Sequence, residues 1–313
     1  YLYNNYFILV MKRKLVKQGN NALTVTLPKK WTRKYNLNAG DFIHLEESPS
    51  EITIKAKPIQ EKKKISVNFD TYKDITSKYI HALYKQGVTE IELLYSSQKV
   101  METVHKTISE NLIGYEVVDQ GKNKATIKSV AEIQDDNFDS MFRRIFHINQ
   151  NMLNSLNSIL KGGKVDIISS VLELEKTNNK LTNYCRRSIS NRIYEGQEIV
   201  LLYNVIEVLE RMADEIKYIL IFLKQEKNLK VSSNEMKLVD EVKDFFSLVH
   251  SSFFSKDFEK IAKKTMEKKD IIPDALKNIS KNDNFVLMHY LINIFQLSAH
   301  IITYKLQIVF LKK

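Results

Sequence analysis

Residues 11–54, MKRKLVKQGNNALTVTLPKKWTRKYNLNAGDFIHLEESPSEITI, hold short apolar segments separated by turn residues. The Gly-Asn-Asn triplet at 19–21 tolerates positive φ angles. After it, Leu23, Val25 and Leu27 alternate with threonines, which is the period of a half-buried strand. Pro28 favours the first turn of a helix, and a second turn at 38–41 precedes two more apolar segments. The stretch therefore predicts the order β-β-α-β-β within about 44 residues.

Positive charge is concentrated in this stretch. The chain has 48 Lys and Arg against 37 Asp and Glu, a net charge of +11, and residues 11–60 hold 10 basic against 4 acidic residues. Such a concentration favours an anionic partner, of which nucleic acid is the commonest. A solubilising basic face is the alternative. The candidate DNA-binding residues are Lys12, Arg13, Lys14, Lys17, Lys29, Lys30, Arg33 and Lys34.

The same stretch resembles the SpoVT/AbrB swapped-hairpin family. The matching residues are Lys17, Gly19, Asn20, Leu23, Val25, Leu27-Pro28-Lys29, Tyr35-Asn36-Leu37 and Gly40-Asp41. The resemblance implies that two chains interlace their hairpins into one β-barrel that binds DNA, with residues 11–58 as the domain. A unit of this size buries little apolar area alone, so an obligate homodimer is also expected on physical grounds. The basic set is mostly lysine, which lacks the bidentate fork of arginine, so contacts to phosphate are expected more than sharp base recognition.

Length and composition bound the rest of the chain. A chain of 313 residues predicts two to three domains. Cys185 is the only cysteine, which rules out an intrachain disulfide and a cysteine-based zinc site and suits a cytoplasmic protein. Residues 1–10 are apolar but too short to span a bilayer, and they lack the features of a signal peptide, so no membrane insertion is expected. They either precede the true start or form an extra strand or hydrophobic arm at the dimer interface.

Residues 62–131 have the rhythm of a small α/β domain. Strands are predicted at 65–69, 91–95, 115–119 and 125–129, and helices at 72–86 and 97–113, with Ser97 as a cap and Gly87 and Gly114 as stops. The order β-α-β-α-β-β predicts a small sheet with two helices on one face. A spacer or dimer-stabilising domain is one interpretation, and a ligand sensor is the other.

Residues 135–313 are predicted to be all helical. Apolar residues recur at helical spacing in six segments, at 138–159, 165–187, 197–224, 233–254, 258–279 (bent near Pro273) and 285–311. Ser232 and Glu235 have the spacing of a capping box at the start of the fourth helix. The third and sixth helices align with Leu202 opposite Leu287, an offset of 85 residues, which indicates a duplicated three-helix bundle.

This half resembles the PhoU family, phosphate-uptake regulators built from two tandem three-helix bundles. The strongest local match is Glu207-Val208-Leu209-Glu210-Arg211-Met212-Ala213-Asp214, which is similar to the Leu-Glu-Arg-x-x-Asp signature of the family. Archaeal PhoU-like regulators combine this half with a swapped hairpin in front. The two resemblances together therefore imply a multidomain regulator of phosphate homeostasis.

Carboxylates on the predicted helices are candidate metal ligands. Glu210 and Asp214 are four residues apart and share a helix face, and such oxygen pairs suit hard or borderline cations. In the PhoU family the matching pairs bind metal clusters, often iron, so the resemblance implies a divalent or iron ion here. The further candidates are Glu175, Asp270 and Asp274, whereas Asn179, Phe295 and Ala299 replace other carboxylates of the pattern. Salt bridges with nearby lysines and arginines are the alternative.

Three functions are compatible with these patterns. The first is a dimeric DNA-binding transcription regulator linked to phosphate uptake. The second is an adaptor that docks on a phosphate transporter or signalling kinase and uses the barrel only to dimerise. An enzyme is not expected, because no nucleophile–base pair and no dense ligand cluster is visible.

Overall fold

The computed structural model describes residues 12–19, 22–47, 51–56, 63–130, 136–163, 165–191, 198–226, 229–255, 258, 263, 270–277 and 284–311. The chain divides into two compact units, Tyr1–Glu61 and Lys62–Lys313. The expectations for residues 1–10 lie outside the described residues.

The first unit has the predicted element order. Its elements are β1 (Val16–Gln18), β2 (Ala22–Thr24), α1 (Lys29–Lys34), β3 (His44–Glu47) and β4 (Ile52–Lys55). β1 pairs with β2 and β3 with β4, both antiparallel, as two separate sheets. α1 has no buried residue. Within one chain the described strands therefore form two hairpins and do not close into a barrel.

The start of the second unit confirms the predicted α/β order. Its elements are β5 (Lys64–Asn68), α2 (Thr76–Lys85), β6 (Glu90–Leu94), α3 (Gln98–Asn111), β7 (Tyr115–Gln120) and β8 (Lys124–Ser129). The sheet order is β5-β6-β8-β7, with β5 and β6 parallel and the other pairs antiparallel. Apolar side chains of the sheet and both helices form one buried core.

Two details of this α/β domain differ from the prediction. The helix predicted at 72–86 begins as a 3₁₀ helix, Phe69–Ile75, and only its second part is α2. The Asn68 side chain accepts a hydrogen bond from the backbone N–H of Asp70 and so starts the tighter turn early. Ser97 occupies the cap position of α3, but its side chain makes no capping hydrogen bond.

The remaining described chain is helical, as predicted. The helices are α4 (Asp136–Leu160), α5 (Ile168–Ser190), α6 (Ile199–Gln225), α7 (Ser233–Phe253), α8 (Ile271–Lys277) and α9 (Phe285–Leu311). Of the predicted fifth helix, residues 258, 263 and 270–277 are described. One continuous apolar core runs through the helices and contains both Leu202 and Leu287. α6 and α9 have the largest mutual contact, so the two predicted three-helix sets share one interior.

Polar contacts fix how the helices begin and pair. The capping box is present: Glu235 donates its N–H to the Ser232 hydroxyl, and its carboxylate accepts the Ser232 N–H. The other Glu235 oxygen accepts the backbone N–H of Asn284 at 2.6 Å, just before α9. One buried carboxylate therefore ties together the starts of α7 and α9.

α9 is also the only described helix that is long and apolar enough to cross a membrane by length and composition. Half of its most apolar window is buried inside the protein, against α6 and α7. Core helices of soluble proteins have the same composition, so this composition by itself is weak evidence for a membrane span.

Arg187 of α5 joins the helical and α/β parts of the second unit. Its guanidinium donates to the carbonyl oxygens of Tyr84 and Val88 at 2.9 and 2.7 Å. It also lies between the rings of Tyr84 and Tyr115, 4.7 and 4.8 Å from their centroids. Gly87 lies at the same joint with φ +78°, and a Cβ there would come within 1.9 Å of the Asn191 side-chain oxygen. The close approach of the two parts therefore depends on a glycine at this turn.

Candidate functional site

The eight predicted DNA-binding residues all belong to the first unit. Lys12, Arg13 and Lys14 precede β1 and Lys17 lies within it, and all four are exposed. Gly19 adopts φ +67° directly after β1, so the chain turns back into β2 and keeps these residues on one short hairpin arm. The hairpin carries four cations without a described acidic residue among them.

The other four basic residues lie on α1. Lys29, Lys30, Arg33 and Lys34 are all exposed. Pro28 begins the helix, and Asn36 ends it with φ +52°. Arg33 and Lys34 occupy the last turn, where the helix dipole favours cations.

None of these eight side chains has an ion pair within the part of the chain that the structure describes. The Lys34 ammonium lies 5.4 Å from the Tyr35 ring centroid, which is a cation–π contact. Within the described chain, no carboxylate therefore competes with an external anion for these exposed cations. The arrangement suits repeated phosphates better than a single small anion, because the charges are spread along a hairpin and a helix.

The first unit also exposes much apolar surface. Phe42 is 94% exposed, and Leu23, Leu45 and Ile52 are each more than 60% exposed. A small unit that exposes so many large apolar side chains to water usually has an interaction surface there. The strands that carry Leu23, Leu45 and Ile52 have one unpaired edge each within the described chain, so backbone groups are also free to pair with another strand.

The structure places the carboxylates of α6 against protein cations. Glu210 and Glu207 both form ion pairs with Arg186 of α5, the Glu207 contact at 2.9 Å. These contacts are close but poorly aligned for hydrogen bonds, so the N–H groups of the fully buried Arg186 are left without an acceptor. Charge attraction depends little on angle, so the two ion pairs still hold Arg186 against α6.

Asp214 and Glu175 share a second cation. Lys217 forms an ion pair with Asp214, and it contacts Glu175 on α5 at 2.8 Å. Burial opposes the charge on Lys217, but the hydrogen bonds to Asp214 and Glu175 outweigh it and raise the pKa of Lys217 to about 12. Asn179 donates to the same Glu175 oxygen at 2.8 Å. The arrangement is thus an interhelix salt bridge, the alternative that the sequence left open.

The remaining metal candidates lie elsewhere. Asp270 and Asp274 are exposed at the start of α8, joined by the backbone hydrogen bond from the N–H of Asp274 to the carbonyl of Asp270. No group of three or more His, Cys, Asp or Glu side chains is close enough to hold a metal ion among the residues that the structure describes. Of the candidate carboxylates, Glu210 pairs with Arg186, whereas Asp214 of α6 and Glu175 of α5 both pair with Lys217.

Sequence reasoning missed the adjacent arginines of α5. Arg186 and Arg187 are both fully buried, one facing α6 and the other facing the α/β domain. The local pattern carries no clear signal for this, because residues 181–189 are buried without interruption in the structure although their sequence, LTNYCRRSI, is not apolar on all sides. Sequence reasoning also missed a polar cleft of about 370 Å³ beside Arg186, between α2 and α3 on one side and α5 and α6 on the other.

Comparison of the chain with protein-family models, with curated proteins and with solved structures gave no match.

Proposed function

We propose that the chain is a dimeric DNA-binding transcription regulator linked to phosphate uptake. The observation that carries the proposal is the set of eight exposed basic side chains on the hairpin and helix of the first unit, which have no ion pair in the described chain. The link to phosphate uptake depends on the resemblance of the helical half to the PhoU family.

Dimerisation is part of the same proposal. Apolar side chains such as Phe42 and Leu45 are exposed in one chain, and β1–β2 and β3–β4 are separate hairpins with free edges. A second copy would cover both the apolar groups and the edges by completing the interlaced barrel that the SpoVT/AbrB resemblance implies. The two copies would then present two sets of eight cations to one DNA duplex.

Contacts of lysine with phosphate would dominate the affinity and make it fall with salt. Each neutralised phosphate contributes a slope of about −0.9 in a plot of log K against log salt concentration. Removing four such contacts from a chain therefore makes the slope shallower by up to about 3.6 per bound chain. Because most of the set is lysine, recognition of base edges is expected to contribute less.

The test is fluorescence anisotropy of a promoter fragment, titrated with salt. The variant changes Lys12, Arg13, Lys14 and Lys17 to Ala. The matched control changes four exposed lysines of the α/β domain to Ala: Lys73, Lys99, Lys106 and Lys122. The intact chain and the control are expected to bind alike, while the hairpin variant binds more weakly with a shallower salt slope.

Two results would count against the proposal. If the intact chain binds no promoter fragment at low salt, the adaptor function becomes the better explanation, and a pull-down with residues 135–313 tests it. If the control loses as much affinity as the hairpin variant, the binding is a general effect of net charge and the hairpin is not the interface.

A further inference from the structure

The polar cleft lies where the α/β domain meets the helical domain, inside the second unit. Its walls come from four helices: Lys78, His81, Ala82 and Lys85 on α2, Asn111 on α3, Asn179 and Asn183 on α5, and Glu210 on α6. The volume of about 370 Å³ is near the lower end of the pockets that bind small molecules, about 300–1,000 Å³. It is thus large enough for a small organic molecule and too large for a single bare ion.

The cleft has a surplus of positive charge. Lys78 and Lys85 line it, whereas its one carboxylate, Glu210, is already paired with Arg186. Burial and the nearby charge of Arg186 lower the pKa of Lys85, although Glu210 and Glu207 oppose this. An anionic group in the cleft would relieve that repulsion, so an anion is the favoured occupant.

Hydrogen-bond acceptors also line the cleft. The side-chain oxygens of Asn179 and Asn183 are buried and accept no hydrogen bond from the described residues, while the Asn183 amide nitrogen donates to the Asn111 carbonyl at 3.3 Å. A buried acceptor without a donor is costly, so a ligand that brings a donor to these lining residues is favoured. The Nδ1 atom of His81 lies 2.7 Å from the Ser77 carbonyl oxygen and must carry the proton there, which leaves Nε2 as a further acceptor.

These acceptors call for hydroxyl donors on the ligand. A nucleobase is disfavoured, because the lining has no Phe, Tyr or Trp on which a base could stack. Asparagine amides and a carboxylate are instead suited to sugar-type hydroxyls, whose donors they satisfy. A ligand that carries both an anionic group and several hydroxyls belongs to one class of molecule, the phosphorylated sugars and polyols.

We propose that this cleft binds a small phosphorylated sugar or polyol, with its phosphate on Lys78 and Lys85 and its hydroxyls on the amides of α5. Because the walls come from both domains, such a ligand bridges α2 with α5 and stiffens the joint between them. The inference is independent of DNA binding and of the PhoU resemblance.

The test is isothermal titration calorimetry of the full chain, without DNA, against glucose 6-phosphate, ribose 5-phosphate and glycerol 3-phosphate. Glucose, ribose, glycerol and inorganic phosphate are the ligand controls. At least one phosphorylated ligand is expected to bind at millimolar or lower concentration and more tightly than its own control and inorganic phosphate. Lys78→Gln and Lys85→Gln are each expected to weaken that binding about tenfold, the equivalent of about 1.4 kcal/mol.

Lys99→Gln is the matched protein control, since it removes the same charge from an exposed site on α3 that does not line the cleft. Lys99→Gln is expected to bind the same ligand within about twofold of the affinity of the intact chain, a change below about 0.5 kcal/mol. Hydrogen exchange of α2 and α5 reports on the site independently, and ligand is expected to slow it in the intact chain. The proposal is overturned if none of the three ligands binds, if inorganic phosphate binds equally well, or if both cleft variants bind as the control does.

Discussion

Replacing Arg187 tests how the two domains of the second unit are held together. Arg187 is 1% exposed, the two N–H groups of one guanidinium nitrogen lie within hydrogen-bond distance of three oxygens, and the guanidinium lies between two tyrosine rings. Among the described residues no carboxylate forms an ion pair with it, so its desolvation is offset only by carbonyl dipoles and ring faces. The side chain is therefore important as packing volume and as a hydrogen-bond donor, while its charge is itself a cost.

The losses of stability expected in two variants of Arg187 distinguish its packing volume from its charge. Arg187→Ala removes the donors and leaves a cavity between the rings of Tyr84 and Tyr115, and large-to-small changes in a core cost about 2–5 kcal/mol. Arg187→Met keeps most of the volume and the ring contacts, and it removes the buried charge, so a loss of about 1 kcal/mol is expected. Both accepting carbonyls keep another donor, the N–H of Gly87 for Tyr84 and the hydroxyl of Tyr115 for Val88. Few groups are therefore left unsatisfied in either variant.

The assay is urea unfolding of the full chain followed by far-ultraviolet circular dichroism, with hydrogen exchange of α2 and β6 as a local measurement. Arg187→Ala is expected to be about 1–4 kcal/mol less stable than Arg187→Met. The control is Arg144→Ala, an exposed arginine of α4, which should stay within about 0.5 kcal/mol of the parent. If the Ala and Met variants lose equal stability, the charge rather than the packing holds the joint, and the reasoning is refuted.

Three more perturbations test other parts of the structure. Gly87→Ala is expected to cost about 1–2 kcal/mol from its positive φ alone, plus the clash with Asn191, so adding Asn191→Ala should recover only part of the loss in urea unfolding. Burial, with smaller contributions from His147 and Arg143, lowers the pKa of His250 to about 4. As the pH falls, the unfolded chain binds a proton at His250 before the folded chain does, so the free energy of unfolding should decrease between about pH 6.5 and 4. The decrease should be about 1–2 kcal/mol, after allowing for solvent screening of the partly exposed ring. His250→Gln should remove this pH dependence, and an unchanged dependence of stability on pH contradicts the role of His250. Phe42→Asp should weaken dimerisation by about two to four orders of magnitude in analytical ultracentrifugation. The reason is that burying one phenylalanine contributes about 1.5–3 kcal/mol in each copy. A parent chain that is monomeric at every concentration refutes the dimer.

Local signals in the sequence predicted the elements well. Alternating apolar residues located β5 to β8, and Gly87 ended α2 where its positive φ was expected. The capping box at Ser232 formed with both of its hydrogen bonds. These features depend on residues within a few positions of one another, and their energetics are therefore visible along the chain.

Contacts between distant segments were harder to predict. One local feature was also missed, since Asn68 caps an earlier turn and the helix predicted at 72–86 begins as a 3₁₀ helix. The carboxylates Glu210 and Asp214 were recognised as a pair on one helix face, but their arginine and lysine partners depend on how α5 packs against α6. Sequence spacing shows which groups share a face and leaves open which charge lies opposite.

The sequence by itself determined the order of elements, the concentration of positive charge in residues 11–60 and the helical nature of the second half. The reason is that backbone propensity, apolar period and charge are properties of neighbouring residues. Only the tertiary structure decided that Arg187 fastens the α/β domain to the helices and that Lys78 and Asn183 face one cleft. Arg187 and the carbonyls that it contacts, like Lys78 and Asn183, are about a hundred positions apart in the chain. The packing of whole helices brings them together, and no local pattern encodes that packing.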